Sequence, residues 1–265
     1  MESIAVVAPR PISFWRDILC PKEHGSWSLA FEPIALGLLV APSVAGALLA
    51  VALSAVFFAR RPLRLTVLER RPERCGSAGK ALALCASVAV AAFAGAIAVA
   101  GVNWFGWLLP AAIAGGVFAF FDARGEGREE FAELAGAAAF ALTPMAFAAV
   151  AGLPTADAAA LGVLMTARAV PSVATVRAFL RAAKTGVRRD SLALLATGAA
   201  LVVAGYLVMR GVAPWFTLAA MLIFAARTVV LLVLIRPGWR ARTLGMLETF
   251  LGLGFVLGLA ATWSA

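Results

Sequence analysis

At 265 residues, with 63% hydrophobic and only 14% charged side chains and a mean hydropathy of +0.94, the chain has too little polar material to coat a water-soluble globule. A net charge of +9 would suggest nucleic acid in a soluble protein, but the basic residues sit in short stretches between apolar runs, which excludes a continuous nucleic-acid-binding stripe. Cys20, Cys75 and Cys85 form no CxxC pair and no metal-ligand spacing, so neither a disulfide framework nor a zinc site is indicated.

The amino-terminal segment carries Glu2, Arg10, Arg16 and Asp17 before any long apolar run, so no cleavable signal peptide is expected and the first span directs insertion. Phe14, Trp15, Ile18 and Leu19 recur at helical spacing and predict a short interfacial helix, with Trp15 and Trp27 at headgroup level. Nine apolar runs follow, at 26–42, 43–59, 81–101, 104–121, 131–151, 156–178, 191–209, 213–235 and 243–262. Only Ala41-Pro42-Ser43 separates the first two, just enough to turn a helical hairpin. The predicted fold is all-α: one polytopic transmembrane domain over 1–265, with 1–25 cytoplasmic or interfacial and 26–262 a bundle of about nine spans.

Orientation follows from the basic residues. Alternate connections hold Arg10, Arg16 and Lys22; Arg60, Arg61, Arg64, Arg70, Arg71, Arg74 and Lys80; Arg124 and Arg128; Arg181, Lys184, Arg188 and Arg189; and Arg236, Arg240 and Arg242. The other set holds Arg210 alone. The amino terminus is therefore expected inside and the carboxyl terminus outside, with any chemistry on the cytoplasmic face.

Ionisable groups within spans are expensive in lipid and point to partners, water or a ligand. They are Glu32, Glu133, Arg168, Arg177, Arg227 and Glu248. Two readings stand side by side: interhelical ion pairs, Glu248–Arg227 and Glu133–Arg168, or convergence on one cytoplasmic cavity. Lys22, Glu23 and His24 open the first span with ammonium, carboxylate and imidazole in sequence, material for proton transfer or for holding an anion. Glu23, His24 and Glu248 are thus the candidate catalytic groups. Lys22, Arg60, Arg61, Arg64, Arg168, Ser172, Arg177 and Arg227 are the candidate ligand-binding groups, since guanidinium flanked by hydroxyl suits phosphate or carboxylate.

Pro21-Lys22-Glu23-His24-Gly25-Ser26-Trp27, Arg61-Pro62-Leu63, the Arg168-x-x-Pro171-Ser172 stretch through Arg177, and Leu244-Gly245-Met246-Leu247-Glu248 together resemble the YwiC-like family of bacterial membrane proteins. The topology is similar to that of UbiA-type intramembrane prenyltransferases, which implies a cytoplasmic cavity covered by the connections after the second and sixth helices. Those enzymes bind Mg²⁺ through two Asp-rich motifs. The corresponding stretches, 58–65 and 173–184, contain Arg and Lys but no Asp or Glu, so no magnesium or other cofactor is expected there. Asp122, Glu126, Glu129, Glu130 and Glu133 form a second acid cluster with two readings, a cation site or, by default, a solvated charged loop. The resemblance implies a prenyltransferase-like protein whose partners are membrane lipids and an anionic isoprenoid or lipid ligand, with no nucleic acid. A carrier or channel for a small anion or proton-coupled solute, with Glu32, Glu133, Glu248 and His24 as relays, is the alternative, and a non-catalytic assembly factor the third.

Overall fold

The computed structural model describes residues 18–20, 24–69, 72–188, 190–234, 239 and 241–263; of His24 it describes the backbone alone. Among the described residues ten α-helices carry the fold: α1 (His24–Val40), α2 (Val44–Leu68), α3 (Pro72–Ala100), α4 (Leu109–Ala123), α5 (Glu130–Ala141), α6 (Pro144–Val150), α7 (Thr155–Thr185), α8 (Ser191–Met209), α9 (Phe216–Val229) and α10 (Ala241–Trp263). No strand occurs among the described residues. Lipid offers backbone groups no hydrogen bonds, so long apolar segments must satisfy them internally as helices.

Eight of these segments are long and apolar enough to cross a bilayer, counting α5 with α6 and including the 3₁₀ turn Phe105–Leu108 that leads into α4. Helix α1, at 17 residues, is shorter, rising about 25 Å against a hydrocarbon core of about 30 Å. The chain is an integral membrane protein.

The helices run further into the charged connections than their apolar stretches do. Helix α2 continues through Arg60, Arg61 and Pro62 to Leu68, and α7 continues to Thr185, where Gly186 at φ +69° closes it by donating its N–H to the Ala182 carbonyl at 3.0 Å. Between α1 and α2 the expected turn is present, and the Ser43 hydroxyl caps α2 by accepting from Gly46 N–H at 3.0 Å. The run at 131–151 is broken at Leu142-Thr143, ahead of Pro144, which has no N–H to continue the ladder. The run at 213–235 begins at Phe216 and finishes in a π turn, Val230–Leu234, whose Leu232 carbonyl accepts from Arg188.

Helix α7 forms the centre, packed on α5, α6, α8, α9 and α10, and α1 lies between α10 and the α2, α5 and α6 helices. Where α1 meets α6, Gly37 leaves the space that the fully buried Phe147 ring fills. Helices α2 and α3 form a close hairpin, and α4 packs mainly on α5. The two hairpins touch each other only lightly, leaving a cleft between them.

Two readings of the amino-terminal region change. Phe14 and Trp15 lie outside the described residues, while Ile18 and Leu19 are buried against Ala78, Ala81 and Cys85 of α3. Trp27 is half-buried in an aromatic cluster, 5.5 Å from Phe57 and 5.8 Å from Phe31 between ring centroids, and Phe57 in turn meets Phe140 at 5.9 Å. The cluster ties α1 to α2 and α5, giving Trp27 a packing role in addition to any interfacial one.

Candidate functional site

The starts of α1, α5 and α10 and the ends of α2, α4 and α7 meet at one end of the bundle and enclose a cavity of about 1450 Å³. That exceeds the 300–1,000 Å³ of ordinary small-molecule pockets (roughly). Its cationic lining comprises Arg60, Arg64, Arg128, Arg168, Arg177, Arg181, Lys184 and Arg242, against the carboxylates of Asp122, Glu133 and Glu248. Away from this end the wall is apolar, built from Leu53 and Val56 of α2, Ala89 and Val90 of α3, and Ala111 and Ala112 of α4.

Behind the cavity lies a buried charge network. Arg168 Nη2 is 2.9 Å from Glu32 Oε2, donates to Glu32 Oε1 at 3.1 Å, and donates to the Glu248 backbone carbonyl at 2.9 Å. Arg227 Nη2 donates to Glu248 Oε2 at 2.9 Å and to Ser172 Oγ at 2.7 Å. All five side chains are buried, and Arg168 is among the largest that are fully so. Two guanidinium groups against two carboxylates make the set electrically neutral, the condition for tolerating charge where water is scarce. A threonine file extends it: Thr175 and Thr228 hydroxyls lie 3.2 Å apart, and Thr197 donates to Thr228 at 3.4 Å. Together these contacts stitch α1, α7, α8, α9 and α10.

The approach depends on Gly252 of α10. A Cβ there would land on Arg168 Nη2 and the Glu32 carboxylate, so only a glycine lets the ion pair sit against the helix backbone.

Nearer the mouth, Arg177 Nη1 donates to Glu133 Oε2 at 2.6 Å and to the Arg128 carbonyl at 2.8 Å, and Arg181 donates to Glu130 at 2.8 Å. These pairs tie α7 to the start of α5. Both partners of the Arg177–Glu133 pair remain partly exposed, at 22% and 36%. Glu133→Gln is therefore expected to lower stability by no more than about 1 kcal/mol, which thermal melting beside the parent protein will check. Across the cleft, Arg60 lies 3.5 Å from Asp122 and 4.5 Å above the Phe118 ring.

Of the ion pairs expected from sequence, Glu248–Arg227 is present. Glu133–Arg168 is not: Arg168 pairs with Glu32, and Glu133 with Arg177. The six intramembrane charges divide into the buried tetrad and an outer pair, with only Arg168, Glu248, Arg177 and Glu133 on the cavity wall. Ser172, Arg60 and Arg64 line it as well, while Arg61 turns away to donate to the Cys20 carbonyl and Arg227 stands behind the wall. Lys22 and Glu23 lie outside the described residues; His24 begins α1, its side chain undescribed.

The sequence reading overlooked Arg128, Arg181, Lys184 and Arg242 as lining groups, although their place in the basic connections of one face was the available signal. It took Asp122 for a solvated residue; it is buried, and Phe118 one turn earlier was the clue that this face of α4 is covered. Among the described residues no three His, Cys, Asp or Glu side chains come together as a metal site.

A family model described as YwiC-like protein matches residues 20–150, from just before α1 to the end of α6, including two walls of the cavity and the Glu32 arm of the network. Neither a curated protein nor a solved structure matches the chain. Over residues 20–150, just under half of its length, the chain is similar to the YwiC-like family.

Proposed function

We propose that the protein binds an anionic isoprenoid or similar lipid-like amphiphile in this cavity, as a prenyltransferase-like protein with its basic end in the cytoplasm. The observation that carries the reading is the division of one cavity into a cationic mouth and an apolar wall beside the cleft between the α2–α3 and α4–α5 hairpins. A phosphate or diphosphate takes charge-assisted hydrogen bonds from guanidinium and ammonium groups, while its hydrocarbon stays among apolar side chains. The ends of α2 and α7 both contribute to the mouth, which supports a UbiA-like plan. At those two positions the lining residues are Arg60 and Arg64, and Arg177, Arg181 and Lys184; such cations do not fit magnesium, and fixed positive charge meets the anion directly.

Arg64 and Lys184 form no ion pair among the described residues, which leaves them available to a ligand. The test is binding of farnesyl diphosphate to the purified protein in nanodiscs. Each of Arg64→Ala and Lys184→Ala is expected to weaken it by about tenfold, the worth of one hydrogen bond to a charged group. Absence of binding, or binding indifferent to both substitutions, overturns the reading. Saturable flux of a small anion into proteoliposomes without lipid binding supports the carrier instead.

A further inference from the structure

Arg60 belongs to the cationic lining of the mouth, and the same side chain reaches across the cleft from α2 to Asp122 and Phe118 of α4. Val90 of α3 lines the cavity yet is 69% exposed, so the cavity is open on this side. The helices that flank the opening, α3 and α4, carry exposed apolar side chains such as Leu84 and Ile113, as lipid-facing spans do.

The bridge over the opening is loose. Arg60 Nε stands 3.5 Å from Asp122 Oδ2, longer than the roughly 2.7–2.9 Å of a charge-assisted hydrogen bond, and the Arg60 side chain is 28% exposed. Asp122 is instead buried, and its Oδ1 has no hydrogen-bond partner. A buried carboxylate needs a counter-ion, whereas a half-exposed guanidinium gains more from a phosphate that accepts two short hydrogen bonds.

We infer that the Arg60–Asp122 pair latches the side opening between α2 and α4, and that an entering amphiphile exchanges its phosphate for Asp122 at Arg60. This rests on the amphiphile reading above and adds how the site is entered and regulated. Asp122 and the phosphate compete for one guanidinium, so closure and binding weaken each other by the same factor. Once Arg60 has turned to the phosphate, Asp122 is a buried charge without its partner, which favours α4 moving outward until the carboxylate meets water. Helix α4 is suited to that movement, being packed mainly on α5 and only lightly on α2.

The latch gives its two members opposite signs in binding and the same sign in access. Affinity for farnesyl diphosphate is measured on the full chain in nanodiscs. Asp122→Asn releases Arg60 and is expected to tighten binding about threefold to fivefold, the worth of a partly exposed ion pair. Arg60→Ala is expected to weaken it about tenfold. In the Arg60→Ala background Asp122→Asn is expected to have no effect, because the carboxylate acts through the guanidinium. Glu73→Gln, an exposed change at the start of α3 and off the cavity lining, removes the same charge and is expected to leave binding unaltered. Access is read at Cys85, a buried thiol of α3 on the cavity wall, with Cys20 and Cys75 replaced by Ser. N-pyrenylmaleimide is expected to alkylate Cys85 about threefold faster or more in both Asp122→Asn and Arg60→Ala than in the parent.

Weaker binding by Asp122→Asn, equal tightening with and without Arg60, or Cys85 no more reactive in either variant overturns the latch and leaves the amphiphile site standing. Absence of farnesyl diphosphate binding by the parent and by Asp122→Asn overturns the amphiphile site, and the exchange at Arg60 with it.

Discussion

Replacing Arg168 by Ala is expected to lower the stability of the bundle by about 3–5 kcal/mol, the usual consequence of leaving one member of a buried ion pair alone. Glu32 would keep its charge with no guanidinium beside it, or take up a proton, and the Glu248 carbonyl would lose its donor. Removing both charges tests whether the cost comes from imbalance. Arg168→Met combined with Glu32→Gln is expected to recover most of the loss, since neutral groups carry no such desolvation penalty. Thermal unfolding in detergent, followed by the fraction remaining monodisperse, distinguishes the single from the double substitution. A single variant that melts like the parent would show that the network is not what holds α1 and α10 against α7.

Gly252→Ala probes the same contact by geometry instead of charge. The added methyl falls on Arg168 Nη2 and on the Glu32 carboxylate, so the pair must separate or α10 must move away. Overpacking costs about 1–3 kcal/mol, and disturbing the pair adds to it, so a loss of about 3 kcal/mol or more is expected. Gly254→Ala on the same helix has open space around its new methyl and is expected to stay within about 0.5 kcal/mol of the parent. Melting curves of the two alanines side by side check this, because helix propensity favours both substitutions equally. Equal stability of the two variants would remove the argument from close approach.

The helical segments and the gathering of basic residues at one end were legible because lipid imposes long apolar runs and charged connections sort by side. Helix ends were less so. Hydropathy stops at Ala59, whereas arginine is a good helix former and carries α2 on to Leu68. The break before Pro144 was visible in principle but hidden inside a run apolar on both sides.

Pair assignment was half legible. Arg227 and Glu248 are on consecutive helices, and their pairing was read correctly. Arg168 and Glu32 belong to α7 and α1, whose adjacency nothing in the order of the chain announces. Glu133 was as good a partner for Arg168 by type and depth. The choice was made by Arg177, which takes Glu133, and by a glycine on α10 that makes room for Glu32 beside Arg168. The cavity shares this character: its cations were individually visible, but its apolar wall and cleft arise from the light contact between two hairpins.

The arrangement of the buried network also bears on how the protein is made. Glu32 and its partner Arg168 are 136 positions apart, so at ribosomal speeds of about 5–20 residues per second the carboxylate precedes its guanidinium by roughly 7–27 seconds. Arg168 and Arg227 then wait in turn for α10, which brings Glu248 and the Gly252 gap. Helix α10 is thus the one that completes neutralisation beside α1. A nascent chain halted ahead of α10 holds an unbalanced positive charge in the bilayer, which marks it as unfinished to any quality-control protease that senses exposed polar groups in lipid.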